Sequence, residues 1–365
     1  MTVPAHATAH AAPRIATLPR WPLWLVGWWA LGRSIVLVAA TSTHAAARFA
    51  GSDGNWYRTV ARSGYWALAG HSSDPAFFPL YPILLRAVHS FGVGWGVAGP
   101  LLSNAAFLLG LGVFYLLTEE LFGEGLALRA AAYLAVFPLG YVFSMTYPES
   151  VVFGLMAAAP LAALRRHWWL AALCAAAAAL GRPEALFLTL PLAGLAWSRR
   201  RTFSPGELSG AVAAVLAPFA GIGSYLLYLF VALHDPFAWS RAERAWGRRF
   251  QIGGAVRAFE RLPDALTSRP WLARDLACLF LYLALLYAAR RIGTPKMWLA
   301  AAASVVVLPL FSGSVESIGR FGVLALPAFW GLAALGRKPR IDLAIQITSV
   351  VLLAAGTFSL AWAIP

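Results

Sequence analysis

The sequence predicts an all-helical protein that crosses a membrane many times, and three observations carry that expectation. Of its 365 residues 60% are hydrophobic and only 12% charged, whereas a soluble domain is nearer half apolar and a quarter charged. Mean hydropathy is +0.68. The apolar residues gather into segments separated by short polar loops, and at ~20 residues per crossing the chain accommodates about eleven. One transmembrane domain, 21–365, then follows a cytoplasmic tail, 1–20.

The first span, Trp21 to Ala40, has Arg14 and Arg20 before it and small residues at Ala45 to Ala47 after it, the flanks of a cleavable signal. Its length and the internal Arg33 favour a retained helix instead. The remaining apolar runs are Gly96 to Leu117, Ala127 to Met145, Val151 to Leu164, Trp168 to Leu180, Ala185 to Trp197, Gly210 to Leu233, Trp271 to Ala289, Met297 to Phe311, Gly322 to Leu335 and Ile341 to Ala363. Trp168 to Leu180 and Ala185 to Trp197 have about thirteen residues each, short of the ~17 a crossing needs. They read as a hairpin whose tip, Arg182-Pro183-Glu184, sits in a protein-lined, hydrated cavity below the outer surface, because non-helical backbone cannot face lipid.

The short basic loops Arg165-Arg166, Arg199-Arg200-Arg201, Arg290-Arg291 with Lys296, and Arg337-Lys338 with Arg340 all fall on one side of this count. The positive-inside rule makes that side, and the N-terminus, cytoplasmic. The outer face receives two long loops, about 41–95 and 234–270, and the connections at Thr146 to Ser150, Gly181 to Glu184 and Ser312 to Arg320. These loops are also rich in arginine, including Arg241, Arg244, Arg248, Arg249, Arg257, Arg261 and Arg269. Long loops obey the rule less strictly; an anionic ligand such as a lipid phosphate explains the excess more fully.

The residues that point to chemistry lie in those outer loops. Gly51-Ser52-Asp53-Gly54-Asn55-Trp56-Tyr57-Arg58 sets a carboxylate beside aromatic rings and a cation just past the first span. Asp-Gly is also a common turn pair, and the rings also suit an interfacial belt. Phe77-Phe78-Pro79-Leu80-Tyr81-Pro82 pairs rings with stiffening prolines, and Ile83, Leu84 and Val88 beyond it suggest a surface helix. Moving a sugar from a phosphate carrier needs one base for the incoming hydroxyl and cations for a phosphate that leaves as a stable anion. A glycosidase, by contrast, needs a second, acidic carboxyl. Asp53 is the candidate base, and direct displacement inverts the anomeric centre. Arg58, Arg182, Arg248, Arg249 and Arg320 are the candidate phosphate ligands. Trp56, Tyr57, Phe78, Tyr81, Glu149, Glu184 and Trp246 are the candidate substrate contacts, with Glu149 able to orient an arginine and Glu184 also readable as a helix cap.

Absent motifs narrow the chemistry. There is no Asp-x-Asp pair for a metal-bound nucleotide sugar, no phosphate-cradling glycine loop with a lysine, and no His or Cys spacing for zinc. No cofactor and no divalent metal are expected. Cys174 and Cys278 lie inside apolar runs, so a disulfide framework is not expected either.

Six segments in order resemble the GPI mannosyltransferase family of PIG-V type and its bacterial relatives: Asp53-Gly54-Asn55-Trp56-Tyr57 with Gly64-Tyr65; Phe77 to Pro82; Tyr147-Pro148-Glu149-Ser150; Gly181-Arg182-Pro183-Glu184; His234-Asp235-Pro236-Phe237 through Trp246-Gly247-Arg248; and Gly319-Arg320-Phe321 leading to Leu326-Pro327. The resemblance implies a GT-C fold, a polyprenyl-phosphate mannose donor, Asp53 as the base, and a cavity open on the outer face. Ser52 and Glu243 depart from residues frequent in that family, tryptophan and glutamine. The implied function is a mannosyltransferase acting on a lipid-linked or surface-glycan acceptor, with membrane lipids and no nucleic acid as partners. With only Lys296 and Lys338 among 29 basic residues, the composition suggests a GC-rich genome and a bacterial inner membrane. Two other classes compete: a transporter or flippase for a lipid-linked sugar, which would favour paired broken helices and internal repeats, and a non-catalytic subunit of another membrane enzyme.

Overall fold

A computed structural model describes residues 21–43, 45–66 and 73–361, and every regular element among them is a helix. The expected cytoplasmic tail, 1–20, lies outside the described residues. The first span is α1 (Trp21–Thr41). Its Arg33 is buried and donates to Gly140 O at 3.0 Å and Ser144 Oγ at 2.7 Å, so this segment is fastened into the bundle. The first outer loop folds into α2 (Ala46–Ala50), α3 (Asp53–Ser63), a 3-10 turn at Asp74–Ala76, and α4 (Leu80–Ser90). In α4, Tyr81 and Leu85 face inward while Ile83 stays exposed, the one-sided pattern expected of a surface helix.

The bundle continues with α5 (Trp95–Phe122), α6 (Glu124–Ala135), α7 (Glu149–Leu164), α8 (Trp168–Gly181), α9 (Thr189–Arg199) and α10 (Pro205–Leu233). Ser204 and Glu207 open α10 with a reciprocal cap, each side chain meeting the other's backbone N–H. The second outer loop forms α11 (Ala238–Ala245), α12 (Gly254–Glu260) and α13 (Leu262–Ser268). Last come α14 (Leu272–Arg291), α15 (Lys296–Val307), α16 (Ile318–Gly322), α17 (Leu326–Leu335) and α18 (Pro339–Ser359).

Only five of these, α1, α5, α10, α14 and α18, are long and apolar enough to cross a membrane alone, fewer than the apolar runs in the sequence. The other runs are shorter or broken, and proline marks the breaks. Ala127 to Met145 ends as a helix at Ala135, ahead of Pro138, and turns through a 3-10 stretch at Gly140–Ser144. Ala185 to Trp197 begins as a 3-10 stretch, Pro183–Leu188, and Met297 to Phe311 ends as one at Leu308–Ser312. The broken backbone is held inside the protein: Tyr141, Phe143, Met145 and Tyr147 are all buried.

Small residues let the helices approach, which matters where lipid removes the usual hydrophobic drive between them. Gly110 of α5 lies against Gly154 of α7, where an added Cβ would come within 3.1 Å of the partner Cα. Buried Ala171, Ala175, Ala178 and Ala179 line α8, which packs on α10. The two ends of the bundle differ. At one, Arg199 reaches Ala163 O and Leu164 O, and Arg166 pairs with Glu207, joining two of the four basic loops assigned to the cytoplasmic side. At the other, the helix breaks bring Asp53, Glu149, Arg182 and Arg320 together.

Candidate active site

Four helix starts converge at this second end. Asp53 opens α3 behind Ser52, whose φ of 52° turns the chain sharply. Glu149 opens α7 after Pro148, Arg182 and Glu184 flank Pro183 beyond α8, and Arg320 lies in the short α16. Their side chains form one chain of ion pairs. Arg320 Nη1 donates to Asp53 Oδ2 at 2.6 Å, and its Nε lies 3.0 Å from Glu149 Oε1. Arg182 Nη1 meets the same Glu149 oxygen at 2.5 Å and turns Nε and Nη2 to the two oxygens of Glu184 at 3.0 and 2.8 Å. The side chain of Glu149 is fully buried, whereas Asp53 keeps 30% of its side-chain surface. Tyr147 and Phe321 stack against the Arg320 guanidinium, and Phe321 also faces Arg182 at 4.5 Å. Three carboxyl groups thus share two arginines, which leaves no spare positive charge in the network.

Asp53, Arg182, Glu184 and Arg320 line a cavity of about 720 Å³, and Tyr57, Phe77 and Phe78 form its aromatic side. The opposing wall is the second outer loop, which contributes Trp239, Glu243, Arg244, Trp246, Arg248 and Arg249. Trp239, Glu243 and Trp246 recur at helical spacing, so one face of α11 and its end looks into the cavity. Its cations are loosely held: Arg248 stands 3.8 Å from Glu243, and Arg244 and Arg249 make no ion pair among the described residues. Burial raises the pKa of Glu243 above the usual carboxylate range, with Arg248 opposing the shift and Glu184 adding to it. Nearby, burial raises Asp74 to about 6 even though both its oxygens accept from Trp66 N at 3.1 Å, which closes the base of the first loop.

The sequence-derived site residues divide by position. Asp53, Tyr57, Phe78, Arg182, Glu184, Trp246, Arg248, Arg249 and Arg320 line the cavity. Glu149 stands behind the wall and bridges the two arginines. Glu184 pairs with Arg182, and no side chain caps the 3-10 stretch Pro183–Leu188 in which it lies. Trp56 stacks on Phe77 at 5.7 Å and supports the aromatic wall from outside. Tyr81 is buried and bonded to Gly99 O and Ser103 Oγ, a packing position. Arg58 turns to Asn55 on its own helix and does not line the cavity. Sequence reasoning passed over Tyr147 and Phe321, the plates that flank the arginines, although both sit inside motifs it used. It also passed over Trp239 and noted Glu243 only as a departure; their spacing from Trp246 was the available signal. Among the described residues, no group of three His, Cys, Asp or Glu could hold a metal ion.

No family model matches the chain, and no curated protein matches its sequence. Solved structures do. ArnT from Cupriavidus metallidurans bound to undecaprenyl phosphate matches with a TM-score of 0.57 and 20% identity, over 91% of this chain and 63% of that one. The archaeal oligosaccharyltransferase AglB from Archaeoglobus fulgidus, in complex with an inhibitory peptide and a dolichol-phosphate, matches with a TM-score of 0.50 and 14% identity, over 93% and 55%. The chain therefore has the GT-C-like fold of these membrane proteins and spans less than two thirds of the length of either. At such identities the likeness speaks to the fold alone.

Proposed function

We propose that this protein is an inverting membrane glycosyltransferase that moves a sugar, mannose on the PIG-V resemblance, from a polyprenyl-phosphate donor to a lipid-linked or surface-glycan acceptor at the outer face of a bacterial inner membrane. The observation that carries the reading is a partly exposed carboxylate at the edge of a large cavity whose far wall holds arginines that are loosely paired or, among the described residues, unpaired. Arg320 fixes Asp53 Oδ2, while Oδ1 has no hydrogen-bond partner among the described residues. That oxygen accepts the proton of the acceptor hydroxyl as its oxygen attacks the anomeric carbon. The bond to the phosphate breaks on the opposite face, and the phosphate leaves with its electron pair toward Arg248 and Arg249. Arg182 and Arg320, already engaged by carboxylates, orient the base. The aromatic wall of Tyr57, Phe77, Phe78 and Trp246 suits the faces of sugar rings. Undecaprenyl phosphate bound to ArnT and dolichol-phosphate bound to AglB show that this fold accommodates such carriers in those proteins.

The test is transfer from polyprenyl-phosphate mannose by purified protein in lipid. Asp53→Asn should lower the rate by about 10²–10⁴-fold, the usual share of a general base, with folding and carrier binding retained. Full activity in that variant would defeat the assignment. Movement of the carrier across the bilayer with no glycosyl product would instead indicate a transporter.

A further inference from the structure

We infer that Asp275 and Tyr282 of α14 are positioning residues for the active site, acting through the backbone of α16 to fix where Arg320 meets Asp53. Neither side chain lines the cavity. Asp275, almost wholly buried, accepts from Gly319 N through Oδ1 at 3.0 Å and from Ser317 N through Oδ2 at 3.2 Å. Ser317 starts α16 with a φ of 69° and supplies no cap of its own. A carboxylate from another helix therefore does the work a helix normally assigns to its own first residue. Seven residues along the same face of α14, Tyr282 donates from its hydroxyl to Gly319 O at 3.0 Å. The peptide units that flank Gly319 are thus held from both sides, and Arg320 follows directly.

The fit is close enough to exclude side chains. A Cβ at Gly319 would lie 2.9 Å from Asp275 Oδ1, and one at Gly322 would lie 2.0 Å from the Tyr282 ring. The Arg320 side chain leaves this anchored backbone against the Tyr147 and Phe321 rings and reaches Asp53 and Glu149. Arg274 stands 3.7 Å from the Asp275 carboxylate and donates to Tyr141 OH at 3.2 Å, so the clamp is itself braced. A five-residue helix with a strained start has little stability of its own, so its placement depends on α14.

The effect on catalysis rests on the function proposed above; the effect on α16 does not. The experiment follows amide hydrogen exchange across residues 315–322 and, separately, the rate of transfer from polyprenyl-phosphate mannose and the affinity for undecaprenyl phosphate. Asp275→Ala should expose the amides of Ser317 and Gly319. It should also lower the rate at saturating donor by roughly ten- to a hundredfold, as small misplacements of a catalytic group do, while carrier affinity stays within about twofold. Asp275→Asn, which keeps one acceptor oxygen, should fall between Asp275→Ala and the wild type. Placed on Arg320→Ala, Asp275→Ala should cost nothing further, because the residue it positions is gone. Leu285→Ala, a buried change further along α14, should cost stability without altering the rate. Unchanged exchange in Asp275→Ala overturns the clamp, and an undiminished rate loss on the Arg320→Ala background overturns its route through Arg320. If the wild type transfers nothing, the functional reading fails, and exchange alone decides the clamp.

Discussion

The two walls of the cavity hold their arginines in opposite ways. On the bundle wall, Arg182 and Arg320 are buried, stacked on aromatic rings and shared among Asp53, Glu149 and Glu184. On the loop wall, Arg244, Arg248 and Arg249 are more exposed, and the one ion pair among them, to Glu243, spans 3.8 Å. A buried, fully compensated arginine is expensive to move and has little attraction left for an anion; a half-solvated, loosely paired one is free to take a ligand. Arginine count therefore says less about where a phosphate binds than the carboxylates that already claim each guanidinium. On the proposed function, the bundle wall would aim the base and the loop wall would offer the anion site.

The largest effect should come from the bundle wall. Glu149 is fully buried and bonds both arginines, so Glu149→Gln removes a buried charged contact from each, while Asp53 and Glu184 still hold one arginine apiece. Each contact of this kind contributes about 1.5–3 kcal/mol, and two are weakened at once. Thermal unfolding in detergent should show a large drop, whereas Arg249→Ala should unfold with the wild type. Coincident melting curves for Glu149→Gln and wild type would remove the distinction between the walls.

On the loop wall the effect should appear in binding instead. A hydrogen bond to a charged group contributes about 1.5–3 kcal/mol, so Arg248→Ala and Arg249→Ala should each weaken undecaprenyl phosphate binding by about ten- to a hundredfold. Stability should change by no more than about 0.5 kcal/mol. Added salt should weaken binding to the wild type and matter less in the variants, since half-exposed charges are screened. Unaltered affinity in both variants would return the phosphate to Arg182 and Arg320.

How far the sequence revealed this arrangement follows from the range of its interactions. Asp53, Glu149, Arg182 and Arg320 were legible because each is an ionisable residue at the edge of an apolar run, where a charge needs a reason to be. Their mutual pairing was not legible: Asp53 and Arg320 are 267 positions apart, and no local pattern says which acid claims which base. Arg58 shows the converse. Its partner Asn55 is one helical turn away on α3, a pairing that helix geometry foreshadows and that the lone carboxylate of the same motif, Asp53, obscured. Apolar runs located the helical segments but overstated complete crossings, since hydropathy does not register that Pro138, Pro183 and Pro309 break helices where the surrounding protein can shelter the exposed backbone. The break at Pro183 is also where Arg182 and Glu184 project.

The smallest effect sharpens the loop wall itself. Glu243 competes with any phosphate for Arg248, and burial has already raised its pKa, against the pull of Arg248 and with Glu184 and Asp53 adding to the rise. As pH falls, Glu243 takes up its proton earlier than an ordinary carboxylate and releases Arg248 to the ligand. Wild-type affinity should therefore climb as pH drops through that raised pKa, while Glu243→Gln, neutral throughout, should bind more tightly at neutral pH and lose this component of the dependence. A half-exposed pair is worth at most about 1 kcal/mol, so the gain is about two- to fivefold. The carrier phosphate titrates as well, but the ratio of the two affinities cancels its contribution. A ratio that stays constant across the pH range would mean that Glu243 exerts no hold on Arg248, and that the loop wall is freer than its geometry indicates.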